Sequence, residues 1–122
     1  MSIVDSEQLD YLRTYPDLQL VAYSPVLKGL YSDLGKRTPS FWAMDPYEGP
    51  DSDARLAAVD RVAAATGATG NQVVLAWMVA QDSPSQLPLI GARTYDQYLE
   101  CVQALDLELT ADQLRELDEA GA

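Results

Sequence analysis

No histidine occurs anywhere in the 122 residues, which removes the commonest general acid/base at neutral pH and every Ser-His or Cys-His nucleophile pair. Catalysis in this chain would have to run on Tyr, Lys or carboxylates. The single cysteine, Cys101, cannot form an internal disulfide, and without histidine the usual nitrogen ligands of zinc are missing too, so no structural metal is expected. Positive charge is scarce. Eight basic residues stand against 19 acidic ones, and the net charge of −11 gives a field that repels phosphate backbones and anionic lipid surfaces, arguing against nucleic-acid and membrane partners. No apolar run approaches the roughly 20 residues of a spanning helix. The opening Met1-Ser2-Ile3-Val4-Asp5-Ser6-Glu7 lacks the basic-then-apolar order of a signal peptide, so a soluble, cytoplasmic protein is expected.

What is present suffices for one domain with a real core, since 48% of the residues are hydrophobic. Two short apolar runs, Leu18 to Pro25 and Leu87 to Gly91, stop abruptly at small or turn-forming residues, and everything between and after them reads as helix. A β-loop-α pattern repeated twice belongs to a parallel α/β protein whose chemistry sits in the loops after the strands. Two strands cannot complete such a sheet, because a (β/α)8 barrel needs about eight strands and about 250 residues. The expected fold class is therefore α/β: a partial (β/α)8 barrel fragment, two short parallel strands with about five helices, mostly helical by content.

The helices carry their own punctuation. Asp5 or Ser6 can cap a helix through about Tyr15, with Leu9 and Leu12 inward and Pro16-Asp17 as its stop. Beyond Pro25 an irregular stretch runs to Pro50, with its residues 31–50 forming a long loop of the kind that is either functional or disordered. Asp51 is placed to cap a helix with Leu56, Val59, Val62 and Ala63 on one face, ended by Gly67. Three Thr-x-x-Gln capping boxes follow: Thr69 with Gln72, Thr94 with Gln97, and Thr110 with Gln113. The helix opened by Thr69 runs Val73 to Ala80 almost without a polar break, which makes it a central packing helix. Tyr95, Tyr98, Leu99 and Val102 recur at helical spacing after Thr94, and Leu114 and Leu117 face inward in the last helix.

Four segments, in order, carry a resemblance. Val21-Ala22-Tyr23-Ser24-Pro25-Val26-Leu27-Lys28-Gly29-Leu30 resembles the Ala-Tyr-Ser-Pro-Leu-x-x-Gly segment at the seventh barrel strand of aldo-keto reductases. Gly67 to Trp77 is similar to the helix before that family's last strand, and Pro88 to Thr94 to its eighth strand and phosphate loop. Leu105 to Thr110, with Leu114 and Leu117, is similar to the closing helical region. The resemblance spans nearly the whole chain, read as one domain over residues 1–122, and implies the C-terminal portion of the barrel of an oxidoreductase that uses NADP(H) to reduce carbonyls. In that family the catalytic Asp, Tyr, Lys and His come from the first half of the barrel. The resemblance thus implies no catalytic residue here and an isolated chain inactive as a reductase.

The cofactor site is what the resemblance leaves. Tyr23 matches an aromatic that stacks on the nicotinamide ring, and its other reading is an aromatic filling the barrel interior. Ser24, Val26 and Lys28 match the loop along the pyrophosphate, with a solvated loop lysine as the alternative for Lys28. Gly91, Ala92, Arg93 and Thr94 match the turn that holds the 2′-phosphate, where small residues, a helix N-terminus and a guanidinium suit an anion. Gln97 and Glu100 match positions near the adenosine, although Gln97 is also the capping partner of Thr94. The family commonly has asparagine where this chain has Cys101, which reads as a helix-packing residue and no nucleophile. Phe41, Trp42, Met44 and Tyr47 in the long loop either line a substrate pocket or cover strand edges. The acidic pairs Asp51 with Asp53 and Asp118 with Glu119 read as helix-dipole partners and a solvated face. A second class of function also stands: an interaction fragment whose bare strand edges and apolar face pair with a copy of itself or with an N-terminal half, giving a homo-oligomer or a complemented barrel.

Overall fold

The computed structural model describes residues 4–37 and 48–122, and the aromatic loop residues Phe41, Trp42, Met44 and Tyr47 lie outside them. In chain order it contains α1 (Ser6–Thr14), β1 (Leu20–Tyr23), α2 (Pro50–Thr66), α3 (Gly70–Val79), β2 (Gln86–Leu89), α4 (Tyr95–Gln103) and α5 (Ala111–Glu119). Single 3-10 turns at Leu27–Gly29 and Leu34–Lys36 give the stretch after β1 more order than its glycines suggest. This is the expected small α/β unit, with β1 and β2 paired in parallel and the helices α2 and α3 in the crossover. None of the described helices is long and apolar enough to cross a membrane.

Local sequence decides the helix boundaries. All three Thr-x-x-Gln boxes close in both directions, and Asp5 with Gln8 forms a fourth that starts α1. One expectation is corrected: Asp51 does not cap α2. The helix begins two residues earlier than an Asp51 cap implies, at Pro50 with Gly49 as N-cap, because proline's missing N–H costs nothing at a position that has no intrahelical acceptor. Asp51 sits in the first turn and pairs with Arg55 at 3.6 Å. At the other end Gly67 takes φ 73°, the left-handed conformation that ends the helix where a Cβ would be strained.

The core lies where α2 meets α3. Val59 and Val62 of α2 pack on Val73, Val74 and Met78 of α3, and Ala22, Tyr31, Trp77, Leu107, Leu109 and Leu117 close around them. α3 is buried on most of its circumference, as its nearly unbroken apolar run requires. α5 is held by Arg61 to Glu116 at 2.6 Å and by Trp77 Nε1 donating to Asp118 at 2.7 Å, so Asp118 is more than a solvated acid. Tyr95 and Tyr98, expected at helical spacing with Leu99 and Val102, are exposed; only the latter two turn partly inward.

The two-stranded sheet is covered on one face only. Leu20 and Ala22 of β1 and Gln86 and Pro88 of β2 are half-buried, while Val21 and Leu87, Tyr23 and Leu89 stand side by side on the other face. Those four are 50–75% exposed.

The contact that seats the loop after β1 is a close approach of backbones. Leu30 is buried in the core, and a Cβ on Gly70 would overlap the carbonyl oxygen of Tyr31. Gly70→Ala is therefore expected to destabilise the chain by about 1–3 kcal/mol through overpacking. A thermal melt checks this, and an unchanged midpoint would mean the loop does not press on α3.

Candidate functional site

The segment leaving β1 is bent hard at a few residues. Ser24, Leu27 and Lys28 adopt φ values of 56°, 48° and 58°, and Gly29 follows at 88°. A left-handed non-glycine residue costs free energy and persists only where its surroundings over-determine it. Here Leu27 N–H donates to the Ser24 carbonyl at 3.2 Å and Gly29 N–H to that of Val26 at 2.9 Å. Lys36 Nζ donates to the Lys28 carbonyl at 2.7 Å. Farther on, Arg37 donates to the carbonyls of Leu30 and Tyr31 and grips Asp60 of α2 with both terminal nitrogens, at 2.7 and 2.9 Å. The Arg37 side chain is only 12% exposed, whereas Asp60 is 47% exposed and reaches solvent.

Across from this loop stands the turn from β2 into α4. Between them opens a cleft of about 510 Å³. The β1 loop lines it with Val26, Lys28, Gly29, Ser32, Asp33 and Lys36; the β2 turn and α4 line it with Gly91, Arg93, Gln97, Glu100 and Cys101, and Asn71 of α3 completes it. Cleft and loops lie at the C-terminal ends of both parallel strands, where open and closed α/β sheets place their sites.

Six of the ten residues singled out from the sequence thus share one cavity: Val26, Lys28, Gly91, Arg93, Gln97 and Glu100. The other four do not line it. Tyr23 lies on the uncovered sheet face and is 75% exposed. Ser24 serves the backbone bend, Ala92 sits in the exposed turn, and the Thr94 hydroxyl is taken by the N–H of Gln97 at 3.2 Å. The helix N-terminus offers fewer donors than its sequence implies. Gln97 Oε1 accepts from the N–H of Arg93 at 2.9 Å and of Thr94 at 3.3 Å, which is the local capping role. Charge for an anion must then come from side chains. Lys28, Lys36 and Arg93 line the cleft, together with the carboxylates Asp33 and Glu100. A Cβ added at Gly91 would meet nothing within 4 Å, leaving open space beside its backbone.

Sequence reading missed Ser32, Asp33, Lys36 and Asn71. Lys36 follows a glycine inside a stretch without periodicity, so only its 3-10 turn brings it to the cleft. Asn71 reads as an ordinary first-turn residue of a buried helix. Its N–H donates to Ser32 Oγ at 3.0 Å and its Nδ2 to Glu100 Oε1 at 3.5 Å, so it bridges the two walls. Glu100 Oε1 also accepts from Thr69 Oγ1 at 2.7 Å, and Gln72 Nε2 donates to the Glu100 carbonyl at 3.1 Å.

Compared with known proteins, residues 1–122 match the family model described as the aldo/keto reductase family. Among curated proteins no significant match is found.

Cys101 lines the cleft. Burial raises its thiol pKa above the ordinary value, and the negative charge of Glu100 raises it further, so the thiol stays protonated at neutral pH. Iodoacetamide should label it more slowly than an unstructured cysteine peptide, with the rate climbing into the alkaline range. Glu100→Gln should speed labelling at fixed pH. Labelling as fast as the peptide at pH about 7 would contradict the raised pKa.

Proposed function

This chain belongs to the aldo-keto reductase family, and on that premise we propose that it is the NADP(H)-binding, C-terminal portion of the reductase barrel, with β1 and β2 as the seventh and eighth strands. The observation that carries the reading is the convergence of Lys28, Lys36 and Arg93, from three separate turns of a strongly acidic chain, on one cleft beside the open backbone of Gly91, where they outnumber the carboxylates Asp33 and Glu100. Such a cluster attracts a polyphosphate against the overall field of the protein. Lys28 and Lys36, on the bent loop, hold the pyrophosphate; Arg93 forks onto the 2′-phosphate. Gln97 keeps the Arg93 backbone in place through its cap, and Glu100 stands at the adenosine end. Tyr23, at the end of β1 and on the sheet face, meets the nicotinamide. When bound, NADPH supplies hydride to a carbonyl. The resemblance assigns the Asp, Tyr, Lys and His that supply the accompanying proton to the first half of the barrel, and on this reading the chain alone does not turn over.

Fluorescence titration tests the reading. NADPH binding is expected, with no oxidation of it in the presence of aldehydes. Arg93→Ala should weaken NADPH by about tenfold or more, as loss of a charge-assisted contact does, and leave NADH nearly unchanged. Absence of NADPH binding at millimolar concentration, or equal losses for the two cofactors, would remove the assignment.

A second reading is supported by the uncovered sheet face. Val21, Tyr23, Leu87 and Leu89 form a contiguous apolar surface between two strand edges left unpaired among the described residues, a surface that invites association. The chain is then an interaction fragment that pairs with its own copy or completes an N-terminal half. Light scattering after size exclusion should show an oligomer that Leu87→Lys returns to monomer. A monomeric unmodified chain would sink self-association.

A further inference from the structure

Resting on the cofactor reading above, we propose that Asp60 and Arg37 are positioning residues for the bound dinucleotide: their ion pair acts through the β1 loop to set Lys28 and Lys36 where the pyrophosphate needs them. Neither residue lines the cleft. Asp60 stands in the middle of α2, flanked in sequence by Val59 and Val62, which are buried in the core. Its carboxylate therefore rises from an element that close packing holds still.

One guanidinium spans the loop. Arg37 Nη1 donates to Asp60 Oδ2 at 2.7 Å and Nη2 to Oδ1 at 2.9 Å, a two-pronged arrangement that fixes the plane of the group as well as its place. With that plane fixed, Nε meets the Leu30 carbonyl at 3.1 Å and Nη2 also meets the Tyr31 carbonyl at 2.6 Å. Arg37 directly follows Lys36 in the chain, and the gripped carbonyls belong to the second and third residues after Lys28. Lys36 Nζ closes the same ring on the Lys28 carbonyl at 2.7 Å. Both lysines thus hang on one closed loop whose anchor is a carboxylate outside the cleft.

The loop has reason to move without that anchor. Leu27 and Lys28 are held at φ values of 48° and 58°, conformations that non-glycine residues leave when their surroundings permit. Without the Asp60 carboxylate, the Arg37 side chain, only 12% exposed, keeps donors that no acceptor orients; it turns toward water and draws Lys36 with it. Electrostatics alone predict the opposite outcome. Asp60 is one of 19 acidic residues in a chain of net charge −11, and neutralising any of them lowers the repulsion felt by an approaching anion. An acid whose loss weakens the binding of a polyphosphate acts through geometry.

The test is a set of nicotinamide fluorescence titrations on the whole 122-residue chain, at one salt concentration and well below the melting midpoint so that only folded chain is read. Asp60→Asn is expected to weaken NADPH and NADH alike by about threefold to tenfold, because both carry the pyrophosphate. Asp60→Glu, which keeps the charge and both oxygens, should recover much of that loss. Asp53→Asn, at an exposed acid of the same helix, should bind as the unmodified chain does or more tightly. Arg37→Lys keeps the net charge but loses the fork; it should weaken both cofactors as Asp60→Asn does, and combining the two should cost nothing further. Asp60→Asn that behaves like Asp53→Asn, Asp60→Glu that binds no better than Asp60→Asn, additive losses in the double variant, or a loss confined to NADPH overturns the proposal. Should Asp60→Asn fail to fold by circular dichroism, unchanged affinity in Arg37→Lys overturns it alone. Arg93-dependent NADPH binding that is indifferent to Asp60 and Arg37 refutes this pair only; failure of the unmodified chain to bind either nucleotide refutes the cofactor reading and this one with it.

Discussion

The seating of the β1 loop on the first turn of α3 is the constraint on which the site depends. A helix start leaves N–H groups without partners, and here the loop supplies one acceptor, Ser32 Oγ, for Asn71 N–H. Gly70 makes this possible by offering no Cβ where the Tyr31 carbonyl passes. Leu30, buried in the core, and Arg37, bound to two loop carbonyls and to Asp60, hold the segment from both sides of that contact. With the loop so anchored, its left-handed residues are retained and Lys28 and Lys36 face the β2 turn.

The second wall is tied to the first through the same helix. Thr69, Asn71 and Gln72 of the α3 start all reach Glu100 of α4. The N-terminus of one buried helix therefore sets the spacing between the cationic loop and the α4 turn. Because α3 is covered on most of its surface, it is the least movable element available for that task.

Electrostatics and packing separate the molecule into a structural and an open half. Arginines on α2 and α5 meet carboxylates at helix surfaces, where each pair contributes little individually. The open half contains the cleft and the uncovered strand face. The alternation of β1 and β2 makes that face apolar, since every second residue of each strand must point away from α3.

Much of this was legible from local signals. Capping boxes, the Gly67 stop and the apolar run of α3 act through residues three or four positions apart, so the sequence by itself determined the helices, the two strands and the turn at Arg93. Its motif order also pointed to the family that the comparison shows. Capping chemistry misled at Asp51, where proline at the helix start prevailed; at Gln97 the capping partner read from the sequence holds, and its side chain satisfies backbone donors that an anion was expected to meet. Only the tertiary structure decided that Lys36 and Asn71 join the cleft and that Tyr23 stands outside it. Those placements depend on contacts across tens of residues, Ser32 to Asn71 and Asn71 to Glu100, which no periodicity encodes because they arise from where packed elements come to rest.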